Sequence, residues 1–119
     1  MACPTVAVVV PCRDEKGFIS ACLDALIKQT YPASLVEIVI ADGDSTDGTL
    51  DIVEHYCANN ERIRVVRNIK RSAASGLNCA INSTTAQVII RVDAHSFVKG
   101  DFIAQSVKLL QDHLSLIHI

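Results

Sequence analysis

Apolar runs and amphipathic segments alternate four times along the chain. The runs TVAVVVPC, VEIVIAD, RIRVVRN and AQVIIRVD are short and rich in β-branched residues, which is typical of strands buried on both faces. Apolar residues recur at helical spacing in the segments that follow them, EKGFISACLDALIKQ, STDGTLDIVEHYCANN, SAASGLNCAINST and DFIAQSVKLLQDH. This alternation predicts βαβ crossovers, and therefore an α/β fold with an open parallel sheet and helices on both faces.

Local signals predict how the helices begin and which sides they bury. Asp14 is a plausible N-cap of the first helix, and Ser45 and Thr46 are expected to cap the second. The third helix is expected to turn four apolar residues inward: Ala74, Leu77, Ala80 and Ile81.

Composition limits the classes of function. The 119 residues suit one domain, and 50% of them are hydrophobic, so a core can form. The net charge of -2 gives no reason to expect a nucleic-acid partner. No apolar run approaches the ~20 residues that cross a bilayer, and the N-terminus lacks the basic segment of a signal peptide. The five cysteines form no CxxC pair, which favours free thiols in a reducing cytosol over structural zinc or disulfides.

Every predicted strand is followed by a polar, charged segment. In open parallel sheets, ligands bind beyond the carboxyl ends of the strands, where the strand order reverses. One rim would therefore collect six carboxylates and three cations: Asp14, Glu15, Asp42, Asp44, Asp47, Asp93, Arg13, Lys70 and Arg71. Crowded carboxylates repel one another unless a ligand neutralises them. We therefore expect a divalent metal together with an anionic ligand.

The segments after the first two strands admit a structural and a ligand-binding role. Asp42 stands at a strand tip, where it could accept the N–H of a nucleobase, and Gly43 would let a planar ligand approach the backbone. An ordinary strand-to-helix loop explains the same residues, but the acidic spacing does not fit an EF-hand. The backbone from Pro11 to Arg13 would flank a nucleotide.

The segments after the third and fourth strands also admit both a structural and a ligand-binding role. Lys70 and Arg71 precede a helix N-terminus, where a diphosphate would find free N–H groups and positive charge; a solvated basic loop is the alternative. No P-loop motif is present. Asp93 and His95 are two residues apart, so in an extended segment both would reach one cation. Oxygen and imidazole ligands suit Mn²⁺, Fe²⁺ or Zn²⁺ better than Ca²⁺. As the alternative, His95 caps a turn and Asp93 caps the next helix.

The four clusters together are more specific than any one of them. In order and spacing, VAVVVPCRDEKGFISACLDALIKQTYP, VEIVIADGDSTDGTLDIV and GLNCAINSTTAQVIIRVDAH resemble the N-terminal half of family 2 glycosyltransferases, over residues 5–113. The sequence of these segments is similar to that of the succinoglycan-type, ExoA-like bacterial branch, which carries D-A-H in place of D-x-D. The resemblance implies the parallel-sheet half of a Rossmann-like GT-A fold, the fold of nucleotide-diphospho-sugar transferases.

The resemblance also implies roles for individual residues. Asp42 matches the acid that hydrogen-bonds the uracil of a UDP-sugar, and Asp93 matches the first acid of D-x-D. His95 stands where the second acid usually coordinates the metal, so Asp93 and His95 are expected to hold Mn²⁺ or Mg²⁺. Seven residues are expected to bind the donor nucleotide: Pro11, Cys12, Arg13, Glu15, Asp42, Arg71 and Asp93. Lys70 is a further, weaker match near the donor loop.

The implied reaction transfers a sugar from a UDP-sugar donor to a growing polysaccharide or lipid-linked saccharide, in exopolysaccharide biosynthesis. In the family the catalytic base lies well beyond D-x-D, so no residue is assigned to it and the chain alone is expected to be inactive. The expected location is cytoplasmic, at the cytoplasmic face of the bacterial inner membrane for a longer, membrane-associated protein.

The last six residues, LSLIHI, interrupt the helical pattern. The string CTG TCT CTT ATA CAC ATC encodes them and resembles a transposase-type sequencing adapter. We therefore expect residues 1–113 to be the donor-binding part of the domain and residues 114–119 to be a non-native tail.

Three other classes compete on the residues alone. A nucleotidyltransferase would also use carboxylates and a metal, but usually has a Gly-rich basic loop after its first strand. A receiver-type signalling domain would use Asp42 as phosphoacceptor, and Asp14 and Glu15 weakly imitate its acidic pair. A dinucleotide dehydrogenase is disfavoured because no GxGxxG follows the first strand.

Overall fold

The computed structural model describes residues 3–117, with side chains described up to residue 112. The chain forms four strands, β1 (Val6–Cys12), β2 (Val36–Asp42), β3 (Ile63–Arg67) and β4 (Val88–Arg91). Four α-helices follow them in turn, α1 (Ile19–Ile27), α2 (Thr49–Asn59), α3 (Ala73–Asn82) and α4 (Phe102–Ile117), and a 3₁₀ turn, Ala33–Leu35, precedes β2. None of the helices in this part of the chain is both long and apolar enough to cross a bilayer.

The four strands form one parallel sheet in the order β3-β2-β1-β4, which confirms the predicted α/β architecture. Val6 of β1 lies between Val36 of β2 and Val88 of β4. The chain adds β2 and β3 on one side of β1 and then returns to place β4 on the other. The strand order therefore reverses between β1 and β4, and parallel sheets bind ligands at such a switch point.

The continuous apolar run of β1 is explained by burial on both faces of the sheet. Val6, Val8 and Val10 belong to the larger core cluster, together with residues from α1, α2 and α4. Val9 packs on the opposite face with Val39 and with Ala80 of α3. Helices therefore cover both faces, and β1 contributes alternate side chains to each.

β4 is shorter than its sequence run predicts and lies at an edge of the sheet. Four residues pair with β1, instead of the eight in AQVIIRVD, and Ile89 keeps 36% of its surface exposed. After Val92 the chain turns at Ala94 and His95, and the Ser96 N–H donates to the Asp93 carbonyl oxygen at 2.9 Å. The predicted extended geometry of the D-A-H segment is therefore wrong.

The predicted helix starts are also displaced. α1 begins at Ile19, so Asp14 does not cap it, and α2 begins at Thr49, after Gly48 in a left-handed conformation with φ +99°. Neither helix has a side-chain cap at its N-cap residue, so the prediction for Ser45 and Thr46 is wrong.

Two of the four predicted inward residues of α3 also point elsewhere. Ala80 is buried and Leu77 is half-buried, but Ala74 is exposed and Ile81 is 39% exposed. The α3 face that meets the sheet is therefore narrower than the apolar pattern indicates.

α4 runs through Ile117, beyond the predicted end at residue 113. Residues 118 and 119 lie outside the described residues, and the non-native origin of residues 114–119 stays a prediction.

Candidate functional site

A cavity of about 360 Å³ opens at the carboxyl ends of β1 and β4, at the switch point of the sheet. Three chain segments build its walls. They are the end of β1 with the following loop, the loop from β3 into α3, and the turn after β4. These are three of the four polar segments that the strand pattern places at this rim.

Most of the predicted donor-binding residues meet in this cavity. Six of the seven line it, as does His95: Pro11, Cys12, Arg13, Glu15, Arg71 and Asp93. Asp42 is the exception, because it is 4% exposed and lines a neighbouring cavity with Asp44 and Ser45. Lys70 is not among the residues that line the site. The structure thus brings these residues around one space, while their roles in binding a donor stay predictions.

Asp42 is held by its own loop and by β1. Ser45 donates to it twice, through Oγ to Oδ1 at 2.6 Å and through the backbone N–H to Oδ2 at 3.2 Å. The Cys12 thiol donates to Oδ1 at 3.8 Å. A buried carboxylate needs such donors to offset the loss of water. Asp42 therefore does not line this cavity itself. It is hydrogen-bonded to Cys12, which does.

Cys12 is a neutral donor in this arrangement. Burial, followed by the negative charge of Asp42, raises the pKa of its thiol from 9.0 to about 12. The proton therefore stays on sulfur at neutral pH, and the side chain serves as a link to Asp42 rather than as a nucleophile.

The loops after β1 and β2 are joined to each other by four backbone N–H groups. Asp14 takes a left-handed conformation with φ +52°, and its N–H donates to Ser45 Oγ at 3.0 Å. In return, the Thr46 N–H donates to Asp14 Oδ1 at 2.7 Å. The Glu15 N–H donates to Thr49 Oγ1 at 2.9 Å, and the Lys16 N–H donates to an oxygen of Asp47 at 3.2 Å. Asp14 thus joins two loops instead of capping a helix.

Gly43 makes room for another loop, while the expected approach of a ligand to its backbone stays a prediction. A Cβ at this position would lie 3.1 Å from the Arg71 carbonyl oxygen and 3.3 Å from Arg13 Cβ. Arg71 is itself left-handed, with φ +66°, and its guanidinium donates to Asp44 Oδ2 at 2.7 Å. The loop from β3 into α3 is therefore anchored over the end of β2, and Arg71 of this loop lines the cavity.

Asp93 and His95 have separate partners across the cavity. Arg91 donates to Asp93 Oδ1 through Nε at 3.2 Å and Nη2 at 3.1 Å. His95 Nδ1 lies 3.5 Å from Glu15 Oε1. Because the chain turns after Asp93, the two side chains do not share one face of a strand, although both line the same cavity.

The metal-ligating side chains of the cavity fit a metal ion whose coordination shell is completed by a bound ligand. No group of three His, Cys, Asp or Glu side chains in the described part of the chain could enclose an ion. Mg²⁺ is commonly held by one or two carboxylates, with water and substrate phosphates completing its shell. Asp93 and His95, which line the same cavity, offer one oxygen and one nitrogen ligand to such a shared metal.

Five residues that line the cavity were not among the predicted site residues: Asn68, Ser72, Ala73, Arg91 and Ala94. Asn68 is 2% exposed, donates through Nδ2 to the Ser72 carbonyl oxygen at 2.8 Å and accepts from Ser75 Oγ at 2.8 Å. Ser72 caps α3, because its Oγ accepts the Ser75 N–H at 3.2 Å. The S-x-x-S spacing was available as a cap signal, whereas Arg91 lay within an apolar run and drew no attention.

Fold and cavity together define an α/β domain with an open parallel sheet and a ligand-sized space at its switch point. Comparison with known proteins identifies the family more narrowly than the fold and cavity do. The family model "Glycosyl transferase family 2" matches residues 7–117, and the chain belongs to that family. This membership sets aside the receiver, dehydrogenase and nucleotidyltransferase alternatives.

Two similar proteins are transferases or biosynthetic proteins of glycan pathways. A dolichyl N-acetyl-α-D-glucosaminyl phosphate 3-β-D-2,3-diacetamido-2,3-dideoxy-β-D-glucuronosyltransferase of Methanococcus voltae is 31% identical over 108 residues, which are 89% of this chain and 34% of that protein. The succinoglycan biosynthesis protein ExoA of Rhizobium meliloti is 32% identical over 103 residues, 85% of this chain and 31% of the relative. The chain thus spans about a third of the length of these relatives.

Solved structures confirm the GT-A fold. Residues 1–349 of S. aureus TarS match with a TM-score of 0.81 and 25% identity, over 92% of this chain and 33% of TarS 1–349. The mannosyltransferase PcManGT of Pyrobaculum calidifontis, solved with GDP-Man and Mn²⁺, matches with a TM-score of 0.74 and 31% identity, over 80% of this chain and 28% of that chain.

Proposed function

We propose that this chain is the donor-binding part of a family 2 glycosyltransferase that takes a UDP-sugar together with Mn²⁺ or Mg²⁺. The complete enzyme would pass the sugar to a growing polysaccharide or lipid-linked saccharide at the cytoplasmic face of the membrane, in exopolysaccharide biosynthesis. One observation carries the proposal: six of the seven predicted donor-binding residues, from three separate chain segments, line a single cavity at the switch point.

The comparisons support the parts of this proposal unequally. The family membership supports glycosyl transfer, and the mannosyltransferase with GDP-Man and Mn²⁺ supports a nucleotide-diphosphate donor with a metal. The likeness to a succinoglycan biosynthesis protein supports a polysaccharide product. The choice of uracil rests on Asp42 and on the family resemblance, so guanine is the base to compare with it.

Different residues of the site would bind different parts of the donor: the diphosphate, the metal ion and the base. Arg13 and Arg71 offer positive charge to the diphosphate, while Asp93 and His95 would hold the cation. That cation, when bound, would stabilise the negative charge that develops on the departing diphosphate. Asp42 is a fixed acceptor for a base N–H, because Ser45 orients both of its carboxylate oxygens. The base would reach it beside Cys12, at the wall between the two cavities.

Ligand-dependent melting of the 119-residue chain tests the proposal. A ligand at 100 times its Kd raises the free energy of unfolding by about 2.7 kcal/mol, which is about 11 °C in Tm for a domain of this size. We expect UDP with Mn²⁺ to give such a rise, GDP with Mn²⁺ a smaller one, and UDP in EDTA the smallest. No shift with either nucleotide, on a chain that melts cooperatively, would contradict donor binding.

Two variants separate the metal from the base. Asp93→Asn should remove the difference between Mn²⁺ and EDTA, and Asp42→Asn should reduce the preference for UDP over GDP while the metal effect stays. Asp101→Asn is the matched control, because Asp101 lies at the start of α4, away from the cavity. Equal UDP and Mn²⁺ affinity in wild type and both site variants would refute the two assignments.

A further inference from the structure

Arg91 is a cavity residue that the family pattern does not assign. It is the last residue of β4, pairs in register with Val9 of β1, and reaches the switch point from the sheet itself. Its guanidinium donates to Asp93 Oδ1 through both Nε and Nη2, at 3.2 and 3.1 Å. The carboxylate proposed to hold the metal is therefore already engaged by a cation of the same chain.

The ion pair between Arg91 and Asp93 is weak, so a ligand can displace it. Both donors converge on one carboxylate oxygen, whereas the strongest arginine–carboxylate pairs use two parallel bonds to two oxygens. The side chains remain 46% and 48% exposed, for Arg91 and Asp93 respectively. Exposed pairs of this kind contribute little to folding. A divalent cation that binds Asp93 thus has only a weak internal competitor to remove.

The displaced guanidinium would remain inside the same cavity. Arg13, Arg71 and Arg91 line this cavity, against the carboxylates of Glu15 and Asp93. Arg71 is tied to Asp44 at 2.7 Å, outside the cavity lining, whereas the ion-pair partner of Arg91 lies within it. If a metal takes over Asp93, the Arg91 guanidinium is added to that of Arg13 as a group that can meet the oxygens of a diphosphate in this cavity.

We propose that Arg91 is a diphosphate-binding residue that rests on Asp93 until a divalent cation takes that carboxylate. The inference rests on the proposed function, because it assumes that a nucleoside diphosphate and a metal enter this cavity. Binding of the two ligands is then coupled through one side chain. Metal binding releases Arg91, and the diphosphate receives the guanidinium that the metal has released.

The coupling predicts two effects of opposite sign for Arg91→Gln, measured by calorimetric titration of the 119-residue chain. Mn²⁺ alone should bind about two- to fivefold more tightly, because Asp93 has lost its internal competitor. UDP at saturating Mn²⁺ should bind about tenfold more weakly, because a charge-assisted hydrogen bond to the diphosphate is lost. A residue with only a structural role would move both affinities in the same direction or neither.

Two further variants control the measurement. Arg91→Lys keeps the charge and should recover part of the UDP affinity. Arg64→Gln is the matched control, because Arg64 is also a strand arginine paired with a carboxylate, Glu37 at 3.4 Å, but it lines a different cavity. It should leave both affinities unchanged.

The outcomes distinguish this inference from the proposed function. Wild type that binds UDP with Mn²⁺, combined with an Arg91→Gln variant that binds UDP within twofold of wild type, overturns the role of Arg91 alone. The same holds if Mn²⁺ binding is unchanged or weaker in the variant. Wild type that binds neither UDP nor GDP overturns the donor site and this inference together.

Discussion

At the scale of single residues, Cys12 shows how one side chain serves the core and the site. It is 7% exposed and belongs to the larger core cluster, yet the residue lines the cavity and its thiol donates to Asp42. The same burial that keeps the thiol protonated also places it beside a carboxylate. Its chemistry in the folded protein is therefore that of a small apolar residue with one weak hydrogen bond.

The raised thiol pKa values predict a loss of stability at alkaline pH. The folded state keeps the Cys12 proton up to about pH 12 and the Cys22 proton up to about pH 11, against an ordinary value of 9.0. The unfolded chain releases both protons from about pH 9, so the free energy of unfolding should fall as pH rises beyond that point. Urea titrations at pH 8 and pH 10 measure it.

Substitution of Cys12 should make this pH dependence shallower. Cys12→Ala removes one of the two buried thiols, whereas Cys3→Ala removes an exposed one and should leave the slope as in wild type. A slope in Cys12→Ala that equals the wild-type slope would show that Cys12 does not carry the effect. The absolute stability of Cys12→Ala does not enter the comparison, because only the change between the two pH values is used.

At the scale of elements, α3 lies closer to the sheet than a helix with a side chain at Gly76 could. A Cβ there would lie 3.0 Å from Asn68 Nδ2 and 3.4 Å from the Cβ atoms of Ala41 and Pro11. Asn68 cannot yield easily, since its amide is bonded to Ser72 and Ser75. Gly76 therefore sets the distance of the α3 N-terminus from the cavity.

We expect Gly76→Leu to lower the free energy of unfolding by about 1–3 kcal/mol, because the larger side chain must push α3 away from β1 and β2. Ala74→Leu, on the exposed side of the same helix, should change it by less than about 0.5 kcal/mol. Urea unfolding of both variants measures the difference. Equal effects would mean that the close approach at Gly76 does not matter for stability.

The elements themselves could be predicted from sequence, but not all of their ends. β-branched runs and helical spacing predicted all four strands and all four α-helices, because burial imposes those periods. The starts of α1 and α2 were misplaced because Asp14 and Ser45 are ordinary cap residues by type. In the structure they bind each other's loops instead, and that contact spans 31 residues of sequence. Such a long-range bond leaves no local pattern.

The candidate site was predictable to a similar degree. Six expected donor-binding residues share one cavity because all strands are parallel, so their carboxyl ends meet at one rim. Arg91 could not be found in this way, since a charged residue inside VIIRV looks like part of a strand. Its function depends on the sheet order, which places β4 at the switch point. The position of Asp42 behind Cys12 likewise requires three-dimensional distances.

At the scale of the whole molecule, stability should decrease from the middle of the sheet toward β4. β1 pairs on both sides and is buried on both faces, while β4 pairs only with β1 within the described chain and alternates half-buried with exposed residues. Local opening follows such differences in burial and pairing. Peptides from Val6–Val10 should therefore exchange their amide hydrogens at least about tenfold more slowly than peptides from Val88–Arg91.

Hydrogen exchange followed by mass spectrometry provides the test, with β3 as an internal reference. Among the strands of residues 3–117, β3 pairs with β2 alone, yet it is covered by both α2 and α3, so its protection should fall between those of β1 and β4. Equal protection of β1 and β4 would indicate that the sheet opens as one unit.

The sheet order also has a consequence for the growing chain on the ribosome. Val6 of β1 pairs with Val36, 30 residues later, but its other neighbour, Val88, is 82 residues later. At about 5–20 residues per second, the second neighbour is added about 4–16 s after Val6. During synthesis, the β4 side of β1 therefore remains unpaired until β4 has been made. We expect the nascent protein to be most prone to aggregation and to chaperone binding in this interval.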